Sequence, residues 1–304
     1  MEFQQLRALL LVAETGSVTE AARRLLLTQP AVTRQIRALE DELGGALFDR
    51  TTKPLLPTPL GQTAVTHARR IFQISDDLRA LVRSHGGLPT GELRLGVVHS
   101  CAHHVIPPLV HAMRHQYPGV QLRLTSSWSA ALKREVEEGV LDAAIVLTAP
   151  APSVPTGLEG RCVGTEPLTL LASTQTGLKG TVAMEDLRGS VWVLSREGCG
   201  YRAVLKRTLA AADIPFIVAV EVLDVALQLQ LIADGVGAGI MALRALPPLL
   251  EERGVHTFRL PDMPAALEVW VFHRRQGPLL PVVMPLMHHT VATLLQETVP
   301  VPQG

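Results

Sequence analysis

The sequence has few cysteines, few aromatic residues, no net charge and no long apolar run. Its three cysteines, at positions 101, 162 and 199, are an odd number at scattered positions and do not describe a disulfide framework. The 28 lysine and arginine residues balance 28 aspartate and glutamate residues, so any binding of nucleic acid is confined to a local patch. No apolar run approaches the roughly 18 residues of a membrane span.

The amino terminus passes straight into a helical pattern without a basic leader, which predicts a cytoplasmic chain with no membrane partner and with reduced thiols. With 304 residues and 47% hydrophobic content, the chain is long enough for two or three compact units. Only Phe3, Phe48 and Phe72 are aromatic before residue 85, too few for a platform that stacks unpaired bases. Duplex DNA is therefore favoured over single strands.

Two short helical patterns separated by a tight turn occupy residues 17–50. Ser17 followed by Glu20 is a capping-box pattern at the start of the first helix. Thr28 can cap the second helix, and Pro30 is tolerated in its first turn. The second helix buries one apolar stripe, formed by Val32, Ile36, Leu39 and Leu43.

The opposite stripe of the second helix carries polar and basic side chains: Gln29, Thr33, Arg34 and Arg37. Glutamine and arginine can form paired hydrogen bonds with adenine or guanine edges in a major groove, and threonine can contact a base or a phosphate. Such a helix could also be an ordinary solvated surface helix. Local positive charge favours the first interpretation, because residues 18–37 hold four arginines against Glu20 alone.

The segments Ser17–Leu25, Thr28–Ile36 and Leu47–Arg50, with Leu39-Glu40 and Leu43-Gly44 between them, resemble the DNA-binding domain of LysR-type transcriptional regulators. The resemblance implies a bacterial regulator that binds an interrupted dyad-symmetric site on double-stranded DNA. It also implies homotetramers built from homodimers and contact with RNA polymerase. The DNA-binding residues expected from the helix-turn-helix are Arg23, Thr28, Gln29, Pro30, Thr33, Arg34 and Arg37.

Residues 50–58 have the pattern of a short hairpin with proline-limited edges, which would form a wing beside the helices. Arg50 and Lys53 could there contact phosphates or a minor groove. The alternative is an ordinary basic loop. In LysR-type proteins the wing touches DNA, so the resemblance favours contact.

A heptad seam is predicted from Pro59 to about His85, where apolar residues repeat at alternating steps of three and four. His67 is a polar member of this repeat. Pairing with the same helix of a second subunit would bury the seam and hold two DNA-reading helices at a fixed distance. The alternative is that the seam packs on its own chain. The expected dimer residues are Leu60, Ala64, Ile71, Ile74, Leu78 and Leu81, and Gly86–Gly91 marks the end of the helix.

After Gly91, short apolar strands alternate with helical stretches, the rhythm of a parallel α/β sheet. The resemblance implies two α/β lobes similar to periplasmic solute-binding proteins. The expected fold class is thus α/β, with an all-α winged helix-turn-helix amino-terminal domain and a two-lobed, periplasmic-binding-protein-like effector domain. The expected boundaries are a DNA-binding domain at 1–58, a linker and dimerisation helix with a hinge at 59–90, and a regulatory domain at 91–304. Lobe I covers about 91–163 and 267–304, and lobe II about 164–266.

Ligands of open α/β sheets bind at the carboxyl ends of strands, beside helix amino termini. Several polar residues follow the predicted strands there, and the alternative role for each serine is that of a helix cap alone. A small polar, anionic metabolite touching both lobes could shift the DNA-bound arrangement of the oligomer. No cofactor is expected. The expected effector-binding residues are His99, Ser100, Cys101, Ser127, Trp128, Thr148, Arg196, Gly198, Cys199, Arg202 and Asp224.

Two other kinds of sensor stay open. His99, Cys101, His103 and His104 crowd one strand-to-helix turn and could bind a transition metal. Cys199, flanked by glycines and near Arg202, could be a redox sensor with a lowered thiol pKa. An enzyme is not expected, because the sequence has no nucleophile elbow, no Walker-type loop and no His-Glu-x-x-His pair.

Overall fold

The structure is a computed structural model that describes residues 1–83, 89–150, 152–247 and 250–296. Within the long helix that ends at Arg83, the side chains of residues 73, 77 and 80–83 are not described. The chain forms two compact units, one dominated by residues up to 85 and the other by residues from 86 onward.

The amino-terminal unit holds four helices and one short hairpin among its described residues. They are α1 (Phe3–Thr15), α2 (Val18–Leu25), α3 (Gln29–Leu43), β1 (Phe48–Asp49), β2 (Leu56–Pro57) and α4 (Pro59–Arg83). Leu9, Val12, Val32 and Leu39 are fully buried in its core. Ala21 of α2 is also fully buried, and its small side chain lets the neighbouring helices approach closely.

The predicted hairpin is present, with β1 and β2 paired antiparallel. Leu47 and Phe48 anchor it in the core of the unit. Helix α4 passes so close to the hairpin that a Cβ atom on Gly61 would lie 1.9 Å from the carbonyl oxygen of Leu47. Only glycine fits there without a backbone shift. The hairpin is therefore held against the helical core.

The carboxyl-terminal unit alternates strands and helices. Its elements are β3 (Gly91–Val98), α5 (His99–Gln116), β4 (Val120–Ser127), α6 (Ser129–Glu137), β5 (Ala143–Thr148), β6 (Leu158–Ser173), β7 (Gly180–Thr181), β8 (Val191–Leu194), α7 (Gly200–Ala211), β9 (Ile217–Glu221), α8 (Val225–Ala233), β10 (Gly239–Ala242), β11 (Val255–Arg259), β12 (Ala266–Arg274) and α9 (Leu280–Gln296). Short 3-10 turns lie at Met184–Leu187, Leu243–Ala245 and Glu251–Arg253. The predicted end of the dimerisation helix at residues 84–88 falls outside the described residues.

The main sheet is mixed, so the prediction of a parallel sheet was wrong in part. Strands β3, β4 and β5 are parallel, and β8 and β9 form a separate parallel pair. Strand β12 runs antiparallel between β5 and β6, and β10 and β11 pair antiparallel with β6. The difference arises because β6 and β12 carry the chain between the two halves of the unit.

Strand β6 is 16 residues long and serves both halves of the carboxyl-terminal unit. Its first part, residues 158–167, pairs with β12. Its second part, residues 168–173, pairs with β10 and β11. We refer to the half containing β3, β4, β5 and β12 as lobe I, and to the half containing β8, β9, β10 and β11 as lobe II. In the part of the chain that the structure describes, no helix is both long enough and apolar enough to cross a membrane.

Candidate functional site

Helix α3 has the cap and the buried stripe that a DNA-reading helix requires. The Thr28 hydroxyl oxygen accepts a hydrogen bond from the Ala31 amide at 3.4 Å, and Pro30 lies in the first turn, where an amide donor is not needed. Val32, Ile36 and Leu39 are buried, as predicted. The opposite side of α3 is thereby presented to solvent.

That outer side carries the predicted contact residues. Gln29, Thr33 and Arg37 are spaced by four residues and lie along one line of the helix, with Arg34 beside them. Arg34 and Arg37 are exposed, and among the described residues neither has a hydrogen-bond or ion-pair partner. Their guanidinium groups are therefore available to an external acceptor.

Arg23 differs from these arginines because it is paired within its own helix. Its Nε and Nη2 atoms donate to the Glu20 carboxylate at 2.9 and 2.6 Å, and Arg24 donates to the same group. These hydrogen bonds lower the pKa of Glu20 to about 2. Ser17 caps the Glu20 amide at 3.3 Å, but the Glu20 side chain does not return to Ser17, so half of the predicted capping box is present. Glu20 engages two of the five N–H donors of Arg23, and the Arg23 side chain is 74% exposed, so its other donors can still meet a phosphate.

Arg50 is likewise held by a carboxylate. Glu40 takes the buried place that was predicted for Leu43, which is 41% exposed. The Glu40 carboxylate accepts hydrogen bonds from the Leu47 amide at 2.9 Å and from Arg50 Nη2 at 2.7 Å. Arg50 therefore balances a buried charge of the fold, whereas Lys53 is exposed on the hairpin. Lys53 is the freer of the two predicted wing contacts.

The predicted dimer seam of α4 divides into two groups. Ala64 and Ile71 are partly buried against the core of their own amino-terminal unit. Leu60, Ile74 and Leu78 expose 40%, 66% and 61% of their surface. The alternative of packing on the same chain thus holds for the first group only, and Leu81 is outside the described side chains. The second group is left as an apolar stripe in water.

A cavity of about 720 Å³ lies between the two lobes of the carboxyl-terminal unit. The amino-terminal turns of three helices line it: α5 contributes Ser100, α7 contributes Tyr201 and α8 contributes Val225. Its position at the carboxyl ends of β3, β8 and β9 is the one expected for open α/β sheets. The His99 ring packs edge to face against Trp128, with ring centroids 5.1 Å apart.

Five of the predicted effector residues line this cavity, namely His99, Ser100, Trp128, Cys199 and Asp224. Gly198 is not a lining residue but lies next to Trp128, which is. Its φ angle is +96°, and a Cβ atom there would lie 3.4 Å from Trp128. The remaining predicted residues are not among the lining side chains, namely Cys101, Ser127, Thr148, Arg196 and Arg202.

Helical geometry and local bonds explain most of these differences. Cys101 follows Ser100 in α5 by one residue, so it points away from the cavity and is fully buried. The Thr148 hydroxyl donates to the Ala149 carbonyl. Arg202 donates to the Ser195 carbonyl at 3.0 Å and to the Glu221 carboxylate. Nothing in the structure explains why Ser127 and Arg196 face elsewhere.

Sequence reasoning missed much of the wall from lobe II. Tyr201 lines the cavity and is 5% exposed, and among the described residues its hydroxyl has no hydrogen-bond partner. Gln228 also lines it and donates to the Val193 carbonyl at 2.8 Å. Asp224 caps α8 by accepting from the Leu227 amide at 2.7 Å. The aspartate cap before an apolar helix was a usable signal for this wall. The other missed lining residues include Ser195, Leu223, Leu229, Ile240, Met241, Leu246, Leu250 and Arg253.

The thiols are not activated in the way that the redox interpretation requires. Burial raises the pKa of the Cys199 thiol above its ordinary value, and burial also raises the pKa of Cys101. The expected lowering of the Cys199 pKa was therefore wrong, because desolvation outweighs the nearby Arg202. The four residues of the metal interpretation also separate: His99 and His103 line the cavity, whereas Cys101 and His104 do not.

Two family models match the chain. Residues 3–62 match the bacterial regulatory helix-turn-helix protein of the lysR family, and residues 86–294 match the LysR substrate binding domain. The chain is 30% identical over 261 residues to a probable HTH-type transcriptional regulator, LrrA, from Synechococcus elongatus, covering 86% of this chain and 87% of that protein. It is 26% identical to a RuBisCO operon transcriptional regulator from Allochromatium vinosum, covering 92% of each chain.

Solved structures show the same fold. Full-length OxyR from Pseudomonas aeruginosa has a TM-score of 0.68 at 20% identity and covers 99% of this chain and 96% of its own. Full-length CbnR in complex with its target DNA has a TM-score of 0.64 at 24% identity, covering 95% and 100%. The helix-turn-helix, the two-lobed unit and the cavity define a DNA-binding transcriptional regulator with an effector-binding domain. The chain belongs to the LysR family of transcriptional regulators, and it is a regulator and not an enzyme.

Proposed function

We propose that a small organic anion with an apolar body binds in the interlobe cavity and regulates DNA binding by this chain. The cavity is the main support for the proposal, because residues of both lobes line it and its wall is largely aliphatic. Three helix amino termini meet there, and such termini favour negative charge. Arg253 adds a guanidinium to the lining, and the Tyr201 hydroxyl offers a donor without a present acceptor.

The regulatory step follows from the position of the cavity. A ligand that touches α5 of lobe I and α7 and α8 of lobe II binds one interlobe geometry better than another. Only that difference in affinity can shift the population of arrangements in the DNA-bound oligomer. We infer that the oligomer is a homodimer that assembles to a homotetramer, that it meets RNA polymerase at a promoter, and that it acts in the cytoplasm, where the chromosome lies.

The effector proposal predicts a specific pattern in a thermal-shift screen of carboxylates and matched neutral analogues. A binding carboxylate should raise the melting temperature, since saturation at about 100 times Kd adds about 2.7 kcal/mol of stability. Ser100→Ala and Tyr201→Phe should each weaken binding about 2–10-fold, because each loses one hydrogen bond worth about 0.5–1.5 kcal/mol.

The matched control is Ser127→Ala, a serine of lobe I that does not line the cavity. It should leave the ligand-induced shift unchanged. If neutral analogues shift the melting temperature as much as carboxylates do, the ligand is not an anion. If Ser127→Ala matches Ser100→Ala, the site lies elsewhere.

For DNA binding, we propose that Arg34 reads a base and that Lys53 contacts a phosphate. Arg34→Ala should cost about 1–3 kcal/mol, or about 5–150-fold in affinity, on a duplex recovered by selection, with little effect on random duplex. Lys53→Ala should weaken both duplexes alike and reduce the slope of log affinity against log salt by about 1. Fluorescence anisotropy at several salt concentrations measures both quantities.

The control for these variants is Arg207→Ala, an exposed arginine on α7 of the other unit. It should change neither the affinity nor the salt slope. Equal losses for Arg34→Ala on selected and random DNA would assign Arg34 to the backbone and leave base reading to Gln29 or Arg37.

A further inference from the structure

A compact group of three potential metal ligands lies in the carboxyl-terminal unit, next to residues that line the cavity. Cys101 and His104 belong to α5, and Glu166 belongs to β6. Their ligand atoms, a sulfur, an imidazole nitrogen and a carboxylate oxygen, all lie within 4.8 Å of one another. None of the three side chains lines the cavity.

The helix and the crossover strand produce this arrangement. Residues three apart on an α-helix lie on the same face, so Cys101 and His104 point together. His99, Ser100 and His103 occupy the neighbouring face and line the cavity. Glu166 lies in the part of β6 that pairs with β12, opposite Leu267. The three ligands therefore come from two rigid elements that the sheet and its covering helix hold in place.

The group of Cys101, His104 and Glu166 is unusual because its ionisable atoms are buried. Cys101 and Glu166 are fully buried. Both Glu166 carboxylate oxygens and the His104 Nε2 atom are buried without a hydrogen-bond partner among the described residues. The contacts of Glu166 are ionic: His104 Nε2 lies 3.5 Å and Arg244 Nε 3.4 Å from Oε2. Glu166 is therefore held by two ionic contacts that are longer than ordinary hydrogen bonds, and buried polar atoms in folded proteins almost always form hydrogen bonds or bind a ligand.

We propose that Cys101 Sγ, His104 Nε2 and the Glu166 carboxylate bind one divalent transition-metal ion of the zinc type. Thiolate and imidazole ligands select zinc-like ions over calcium or magnesium, which prefer oxygen ligands alone. Three protein ligands leave a fourth position for water, as in open zinc sites. The three ligand side chains are not part of the cavity lining, and the proposal does not depend on the identity of the effector.

Metal binding by this group releases one proton. On binding, the Cys101 S–H bond breaks, a sulfur–metal bond forms and the proton leaves to solvent. The thiolate and the Glu166 carboxylate then supply two negative charges to the ion, and the nearby Arg244 guanidinium leaves the group with one net positive charge. Arg244 keeps its hydrogen bond to the Leu295 carbonyl when Glu166 turns to the metal. His104, whose side chain is 23% exposed, gives the ion a route from solvent.

The test uses the full-length protein after treatment with a chelator. Co²⁺ should bind with a stoichiometry of one per chain and give the ultraviolet charge-transfer band of a cobalt–thiolate bond. Zn²⁺ should displace it, as measured by competition with a chromophoric chelator. Calorimetry in two buffers of different ionisation enthalpy should show about one proton released per ion.

Variants assign the ligands. Cys101→Ala should abolish the charge-transfer band, and His104→Gln should lower Zn²⁺ affinity by more than about 100-fold, since loss of even an outer partner of a metal ligand costs 10–100-fold. Matched controls are Cys199→Ala and His103→Gln, which replace the same residue types at the cavity and should bind the ions normally. His104→Gln decides the question if Cys101→Ala does not fold, because His104 is the partly exposed member.

The proposal is overturned if the wild-type chain takes up neither Co²⁺ nor Zn²⁺. It is also overturned if the charge-transfer band survives Cys101→Ala, or if either control variant loses the ion. Binding of Cu⁺ alone would likewise reject a divalent site. Tryptophan fluorescence of each variant, measured in parallel, shows whether the carboxyl-terminal unit is folded, since Trp128, Trp192 and Trp270 all belong to it.

Discussion

Replacing Asp142 with alanine is expected to lower the free energy of unfolding of the carboxyl-terminal unit by about 3 kcal/mol. Asp142 is buried, and its carboxylate accepts hydrogen bonds from the Arg94 amide at 2.8 Å, from Arg94 Nη2 at 3.0 Å and from Arg274 Nη2 at 2.7 Å. It thereby joins β3, the start of β5 and the end of β12. Removing one member of a buried ion pair costs about 3–5 kcal/mol, because the remaining charge is uncompensated.

The lower end of that range is expected because Arg94 keeps 30% of its side chain exposed. All three tryptophans, Trp128, Trp192 and Trp270, belong to the carboxyl-terminal unit. Tryptophan fluorescence during urea unfolding therefore reports on this unit alone. In a thermal scan the same loss should lower the melting temperature by about 6–12 °C, at about 2–4 °C per kcal/mol for a unit of this size.

Glu92→Ala is the matched control for Asp142→Ala. Glu92 pairs with Arg123 at 2.7 Å, but these side chains are 36% and 68% exposed. Solvent screens such a pair, so its loss should cost at most about 1 kcal/mol. Similar urea midpoints for the two variants would show that the Asp142 network does not stabilise the unit.

The amino-terminal unit was the part of the fold that could be predicted best from the sequence. Its helix starts depend on short-range signals, such as the Thr28 hydroxyl and the Ala31 amide three residues away. The contact between Glu40 and Arg50, ten residues apart, was missed. Leu43 was assigned to the core by its helical spacing alone, but a carboxylate with two donors within reach could take the buried place instead.

The order of strands in the carboxyl-terminal unit could not be predicted from local patterns. Parallel and antiparallel strands have the same apolar character when both faces are covered, so the antiparallel place of β12 was not visible. The first half of β6 was also missed, because residues 158–166 alternate irregularly between polar and apolar side chains. The place of β12 and the extent of β6 are decided by pairing between strands that lie over a hundred residues apart in the chain.

The effector cavity and the proposed metal site of the carboxyl-terminal unit also depend on contacts that local sequence patterns do not show. Ser100 was predicted at the cavity from its place after a strand, and it lines the cavity. Its neighbour Cys101 was predicted there for the same reason and faces the core. The partner that gives Cys101 and His104 a chemical context is Glu166, which follows them by more than sixty residues. The helical repeat was enough to predict that Ser100 and Cys101 lie on different faces of α5. Only the folded chain shows which residues each face contacts.

The apolar stripe of α4 leads to the prediction with the largest effect on function. In the proposed oligomer, Leu78→Asp should separate the subunits that pair through α4, because it would bury a carboxylate in the seam between two copies of the helix. A dimer gains affinity from holding two half-sites at once, and loss of such linkage costs about 10²–10⁴-fold. The variant should therefore bind a duplex with two half-sites about 10²–10⁴-fold more weakly, while its affinity for a single half-site stays within about 2-fold.

The choice of residue matters for this test. Ile71 belongs to the same heptad pattern, but it packs partly against the core of its own unit, so Ile71→Asp would damage the DNA-reading domain itself. Leu78 is 61% exposed and has no such role. Leu227→Asp is the matched control, since Leu227 on α8 is 50% exposed and does not line the cavity. Sedimentation should show a lower mass for Leu78→Asp, since the proposed oligomer loses its α4 contacts, and the wild-type mass for Leu227→Asp. An unchanged mass for Leu78→Asp would mean that the stripe is not the dimer contact.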